Sequence, residues 1–314
     1  MRILCWHVHG SWMTAFVQGE HEYLIPVTPD RGPDGRGRAR TFTWPDNAVE
    51  LTPEELARAD IDCVVLQRPE ELELLRQWLP GRRFPLVYVE HNTPRGDVPL
   101  TRHPLADRSD VLIVHVTHFN DLFWDCGHTA RTVIEHGIPD PGRRYSGDLA
   151  RLGVVINEPV RRGRVTGTDL LTRFAAAAPL DVFGIGAGAL PPIPGITTYD
   201  DPPQAEMHRE LARRRAYLHP MRWTSLGLSL IEAMAMGQPV IGLATTEAVD
   251  AVPAAAGVLS TNVDTLVEAA RWLTADADSA ARLGAAGRQA YERRFTLGRF
   301  LADWDRTLKE VCEL

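Results

Sequence analysis

Short apolar runs rich in β-branched residues, set between stretches of helical periodicity, recur in two series along the 314-residue chain and fix its class. The first series comprises Asp62-Cys63-Val64-Val65-Leu66, Pro85-Leu86-Val87-Tyr88-Val89 and Val111-Leu112-Ile113-Val114, with Arg2 to Trp6 as an opening strand. The second begins after Gly147 with Leu152 to Ile156, Leu180 to Phe183, Ala216 to Leu218 and Pro239 to Leu243. Runs of this length and composition, alternating with helices, predict buried parallel strands and an α/β fold. The rhythm stops and restarts across Val133 to Gly142, a stretch dense in Pro and Gly, so two domains are expected with the boundary near residue 148. The length suits two cores. Pro29 to Arg40 reads as a loop, and Arg282 to Val311 as amphipathic helix broken at Phe295-Thr296.

Composition narrows the chemistry. The formal net charge is -7, against the basic excess of proteins that neutralise nucleic-acid phosphates, so no nucleic-acid partner is expected. Nearly every basic residue is arginine, and Lys309 is the only lysine. Walker-type phosphate loops and pyridoxal Schiff bases both need a lysine and are therefore disfavoured. Cys5, Cys63, Cys126 and Cys312 show no CxxC spacing, which fits reduced thiols and a cytoplasmic location. No signal peptide and no transmembrane run is expected; peripheral membrane contact and the oligomeric state stay open.

One segment carries specific chemistry. Gly227 to Met236 suits a short buried helix stopped by Gly237, with Pro239 beyond and Thr224 and Ser225 as N-cap candidates. A helix N-terminus presents unpaired N–H groups and partial positive charge, here from residues 225 to 228, and so receives a diphosphate without a lysine. Glu232 lies about one and a half turns in, where a carboxylate can accept hydrogen bonds from two vicinal hydroxyls.

Leu218-His219-Pro220 through Glu232-Ala233-Met234-Ala235-Met236-Gly237-Gln238-Pro239-Val240-Ile241 resembles the signature of family 4 retaining glycosyltransferases. The resemblance is good over residues 130 to 311 and loose before that. It implies the GT-B architecture: two Rossmann-like domains facing a cleft, with residues 1–148 on the acceptor side, 149–295 binding a nucleotide sugar, and 296–314 packing back on the first domain as a helix. It further implies that Glu232 grips the ribose, that Arg161 holds the donor diphosphate, and that His91 and the His9-Gly10-Ser11 loop stand near the sugar and diphosphate. The chain departs from the family at two places. Thr224 stands where relatives carry a sugar-contacting glutamate, and Thr166 where they carry a lysine, leaving Arg162 or Arg164 to supply that charge.

These readings have bland competitors. Arg161, Arg162 and Arg164 also suit a solvated loop, although their place after a strand is where α/β ligands collect. Glu232 facing water would be unremarkable, but its neighbours are apolar, and burying an unpaired carboxylate is costly. His91 also suits a loop histidine bonded to backbone. His115, His118, His128 and His136 raise a metal site, yet no single element presents them together, and no metal or cofactor is expected.

The expected activity is thus metal-independent transfer of a sugar from a nucleotide diphosphate to an acceptor hydroxyl with retention. His91 and Arg161 are the catalytic candidates. Gly10, Arg161, Arg162, Arg164, Thr224, Ser225, Leu226, Gly227, Leu228 and Glu232 are the donor-binding set. A sugar-nucleotide epimerase of the same architecture and a non-catalytic nucleotide-sugar-binding protein are the alternatives.

Overall fold

Each apolar run becomes a strand, and the strands collect into two wholly parallel sheets. The computed structural model describes residues 1–313. It divides into one unit of Met1–Pro139 together with the chain from Leu297 on, and a second of Asp140–Thr296.

In the first unit the strands are β1 (Arg2–Cys5), β2 (Glu22–Pro26), β3 (Ala48–Leu51), β4 (Cys63–Leu66), β5 (Leu86–Glu90), β6 (Leu112–His115) and β7 (Arg131–Val133). They lie in the order β3-β2-β1-β4-β5-β6-β7. The central strand β4 is buried at all four positions, as a strand covered on both faces must be. The final helix, Leu297–Glu313, belongs to this unit and buries Phe300, Trp304 and Leu308, an i, i+4, i+8 stripe. Trp304 meets Trp12 edge-on at 5.6 Å and Phe16 at 5.0 Å between ring centroids. Each such burial contributes roughly 1.5–3 kcal/mol.

The second unit contains β8 (Leu149–Val155), β9 (Leu180–Gly184), β10 (Ile196–Asp200), β11 (Arg214–His219), β12 (Val240–Leu243) and β13 (Gly257–Ser260), in the order β10-β9-β8-β11-β12-β13. The division before it falls at Pro139/Asp140, ahead of residue 148. The reason is local: the backbone N–H of Tyr145 donates to Met236 O, and those of Ser146 and Gly147 to Ala212 O, tying this approach to the second sheet. No helix of the described residues is long and apolar enough to cross a membrane.

Candidate active site

In a parallel α/β sheet the carboxyl ends of the strands feed the loops that meet ligands. In the second unit β8 runs into the helix Pro159–Arg162, followed by a tight 3-10 turn, Gly163–Thr166. Gly167 then adopts φ +72, and a Cβ there would overlap the carbonyl of Pro220. Glycine at this point lets the turn close onto the loop after β11. The backbone N–H groups of Arg222 and Trp223 donate to Val165 O at 2.9 and 3.3 Å, which fixes the two loops side by side.

The arginines differ in what they can offer. Arg161 is exposed and forked onto Glu158, three residues earlier, and the guanidinium holds that carboxyl below the usual range. Arg164 is exposed too and only grazes Asp169 at 3.5 Å. Thr166, at the lysine position, is fully buried and bonded to Gly163 O and Thr168 Oγ1, so it is spent on the turn itself. The sequence reading passed over Arg222. Its guanidinium donates to Arg164 O at 2.8 Å and grips both oxygens of Asp169, beside Arg164. Its place two residues before Thr224 was the available signal.

The helix in the motif runs Leu228–Met236, stopped by Gly237 at φ +90. Its N-cap is Gly227, with no side-chain cap, which corrects the expectation that Thr224 or Ser225 fills that role; both lie too early in the chain. Ser225 and Leu226 are buried in the approach, and Leu228 opens the helix. Thr224 Oγ1 is buried with no hydrogen-bond partner among the described residues, and so is Nδ1 of His219 at the end of β11. Burial holds His219 neutral, its pKa lowered to about 4. Its ring packs on the cap: a Cβ on Gly227 would stand 3.2 Å from His219 Cε1. Two orphaned polar atoms at such a helix start are costly unless a ligand satisfies them.

Glu232 is 6% exposed and does not face water. Gln204 Nε2 donates to its Oε1 at 3.0 Å, and His208 Nε2 lies 3.1 Å from Oε2, at an angle too poor for a hydrogen bond. Both partners come from the helix Gln204–Leu211, which the sequence reading did not connect to the site. A ribose seeking Glu232 therefore meets a carboxylate already engaged on one oxygen.

The carboxyl edge of the first sheet gathers histidines. His9 follows β1 and lies against His91, which follows β5, with the rings tilted at 38° and 4.0 Å between centroids; Trp12 meets His91 edge-on at 5.1 Å. Burial, then Arg36, lowers His9 to about 4, and burial, then His9, lowers His136 to about 3. His91 is held well below its usual value by burial and by His9 and His136. Neutral rings of this kind hydrogen-bond rather than carry charge. Gly10 is not in a flexible loop: it is the first residue of the helix Gly10–Phe16, and its missing side chain admits Phe42, whose Cε2 would be 3.1 Å from a Cβ. The histidines considered for a metal separate. His115 is buried beside Cys126, whose Sγ is 3.5 Å away, whereas His128 is exposed on Asp107. The described residues contain no group of three or more side chains suited to a metal ion.

Residues 196–290 match the family model for glycosyl transferases group 1. Over that stretch the chain is similar to group 1 glycosyl transferases. The matched stretch takes in Thr224 to Glu232 and lies beyond Arg161 to Arg164. No curated protein sequence matches the chain. Among solved structures, sucrose-phosphate synthase from Thermosynechococcus elongatus is similar, with a TM-score of 0.74 and 13% identity over 99% of each chain. HepE from Anabaena in complex with UDP-glucose is similar at a TM-score of 0.70 and 13% identity, over 99% of this chain and 100% of that one. A glycosyltransferase from Rickettsia africae gives 0.69 and 13%, over 99% and 98%. The matched stretch thus sits in a chain with the GT-B fold.

Proposed function

We infer that the chain moves a sugar from a nucleoside diphosphate sugar to an acceptor hydroxyl, with retention at the anomeric carbon and without a metal ion. The observation that carries this is the joined pair of loops at Gly167 and Pro220, which puts Arg164 and Arg222 beside a helix start with two unsatisfied polar atoms. As the bond from the anomeric carbon to the diphosphate oxygen breaks, negative charge grows on the leaving group, and fixed positive charge aimed at it lowers the barrier. Arg164 and Arg222, with Arg161 and Arg162 nearby in the chain and the N–H groups of residues 225 to 228, supply that charge without a metal ion. Thr224 Oγ1 and His219 Nδ1 suit sugar hydroxyls, and Glu232 suits the ribose once Gln204 gives way. On the first unit, His91 positions the sugar by hydrogen bonding and Gly10 lies beside it. The acceptor attacks from the face of the leaving group, whose phosphate oxygen takes the proton. The UDP-glucose bound to HepE supports a nucleoside diphosphate sugar as donor.

A thermal-shift panel of uridine, guanosine, adenosine and thymidine diphosphates tests the binding, because a ligand that binds only the folded state raises its stability. One of the four is expected to raise Tm clearly; a flat response to all four would count against the proposal. The matching nucleotide sugar, incubated with and without acceptors and with a chelator, then tests transfer. Turnover only with an acceptor, unchanged by the chelator, is expected.

A further inference from the structure

The segment Pro29 to Arg40, between β2 and β3, places arginines at 31, 36, 38 and 40 on a chain whose net charge is -7. It is not a loose loop. Val27 and Arg36 form an antiparallel bridge, Thr28 N donates to Gly35 O at 2.9 Å, and Gly37 N donates to Pro26 O at 2.9 Å. Glu50 of β3 accepts both forks of Arg31 at 2.9 Å and the backbone N–H of Arg38 at 2.7 Å. Gly37 has φ +69, and a Cβ there would overlap the Glu50 carboxylate, so only glycine fits. Its carbonyl accepts from Nδ1 of His7 at 2.9 Å.

The result is an open cavity of about 500 Å³ lined by His7, Asp30 and the four arginines. Asp30 is engaged by Thr28 Oγ1 at 2.6 Å, and Arg31 is neutralised by Glu50. Three guanidiniums are left without a carboxylate among the described residues. Arg38 donates only to the carbonyls of Ala48 and Trp44, at 2.9 and 2.6 Å. Arg36 and Arg40 are exposed and in no ion pair. Like charges gathered on a braced frame repel one another, and a bound anion removes that cost. Guanidinium forks match phosphate oxygens in geometry, and three unneutralised cations suit a dianion better than a single carboxylate. The volume lies in the range of small-molecule sites and leaves room for more than the anion. With Nδ1–H committed to Gly37, Nε2 of His7 is an acceptor for a hydroxyl on the same ligand.

We propose that this cavity binds a phosphoryl group carried by the molecule that receives the sugar, held by Arg36, Arg38 and Arg40. The assignment of that molecule as the acceptor rests on the glycosyltransferase reading; the binding of phosphate does not. A soluble sugar phosphate and a phospholipid headgroup share this chemistry, and the experiment separates them.

Calorimetry on the full chain compares glucose 6-phosphate with glucose, while co-sedimentation compares phosphatidylcholine vesicles with and without phosphatidic acid. The same measurements are made on R36A/R40A, whose side chains hold no other element in place, with its Tm as a check on folding. Expected is binding of a phosphate-bearing probe, none of its phosphate-free counterpart, and a loss of about tenfold or more in the variant. The probe that binds names the source. Equal affinity in both proteins, or no binding of either phosphate-bearing probe, overturns the proposal. Nucleoside diphosphate binding is measured alongside. Its absence from the unaltered protein would strike the transferase reading and leave the phosphate result standing.

Discussion

Gly167 and Pro220 lie in van der Waals overlap range of any side chain, so the turn after β8 and the loop after β11 close together only because residue 167 has no Cβ. Gly167→Ala combines a left-handed backbone with a steric clash and is expected to cost roughly 2–4 kcal/mol in urea unfolding. Gly186→Ala is the control: it shares the left-handed backbone, with φ +76 and ψ 12, but the nearest atom to a Cβ there is 3.7 Å away, so only the backbone term of about 1–2 kcal/mol remains. Equal losses would mean that the closure of the two loops is not what glycine provides.

Glu232→Ala should weaken nucleoside diphosphate binding by about 1.5–3 kcal/mol, the scale of hydrogen bonds to a charged group. Gln204→Ala should tighten it, because the amide occupies the oxygen a ribose needs. Calorimetry reads both. Unchanged affinity in Glu232→Ala would remove this residue from the nucleotide contact.

Thr224→Val keeps the shape and removes the unpartnered hydroxyl. If that oxygen meets the donor sugar, turnover falls about tenfold while affinity for the nucleoside diphosphate alone is unchanged. A variant that folds more stably and turns over as before would reduce the hydroxyl to an uncompensated burial.

Acid should dismantle the first unit before the second. His9, His115 and His136 are lowered to about 4, 4 and 3, chiefly by burial, and His91 is likewise held well below its usual value by burial. Once unfolded they titrate near 6.5, so between pH 6.5 and 4 the unfolded chain takes up protons that the folded one refuses. Stability is therefore full above pH 6.5 and drains as pH falls, by about 1.4 kcal/mol per pH unit for each titrating histidine. The second unit has one such group, His219, lowered to about 4. Six of the eight tryptophans, Trp6, Trp12, Trp44, Trp78, Trp124 and Trp304, lie in the first unit, so tryptophan fluorescence followed against urea at pH 7, 6 and 5 reports mainly on it. A midpoint independent of pH over that window would refute the assignment of neutral rings.

The strands named from sequence are those with continuous apolar runs, and they form the middle of each sheet. The strands it missed include β3, β7, β10 and β13, which are the four sheet edges. β10 is exposed or half-exposed throughout, so Ile196 to Asp200 never builds the unbroken run that betrays a buried strand. The motif helix was legible because Gly237 and Pro239 punctuate it. The partners of Glu232 were not, because Gln204 and His208 reach it from a helix more than twenty residues away, a distance at which one sequence holds no signal. Arg222 was hidden for a similar reason: only the fold shows that it shares Asp169 with Arg164.

The helix Leu297–Glu313 completes a unit begun at Met1, while Asp140–Thr296 is a single uninterrupted stretch. On a ribosome, where chain emerges from the N-terminus onward, the earlier unit is thus the later one to finish. Until Trp304 arrives, Trp12 and Phe16 lack one of the rings they pack against, while the second unit already holds its full complement. Order of synthesis and order of completion run opposite ways in this molecule.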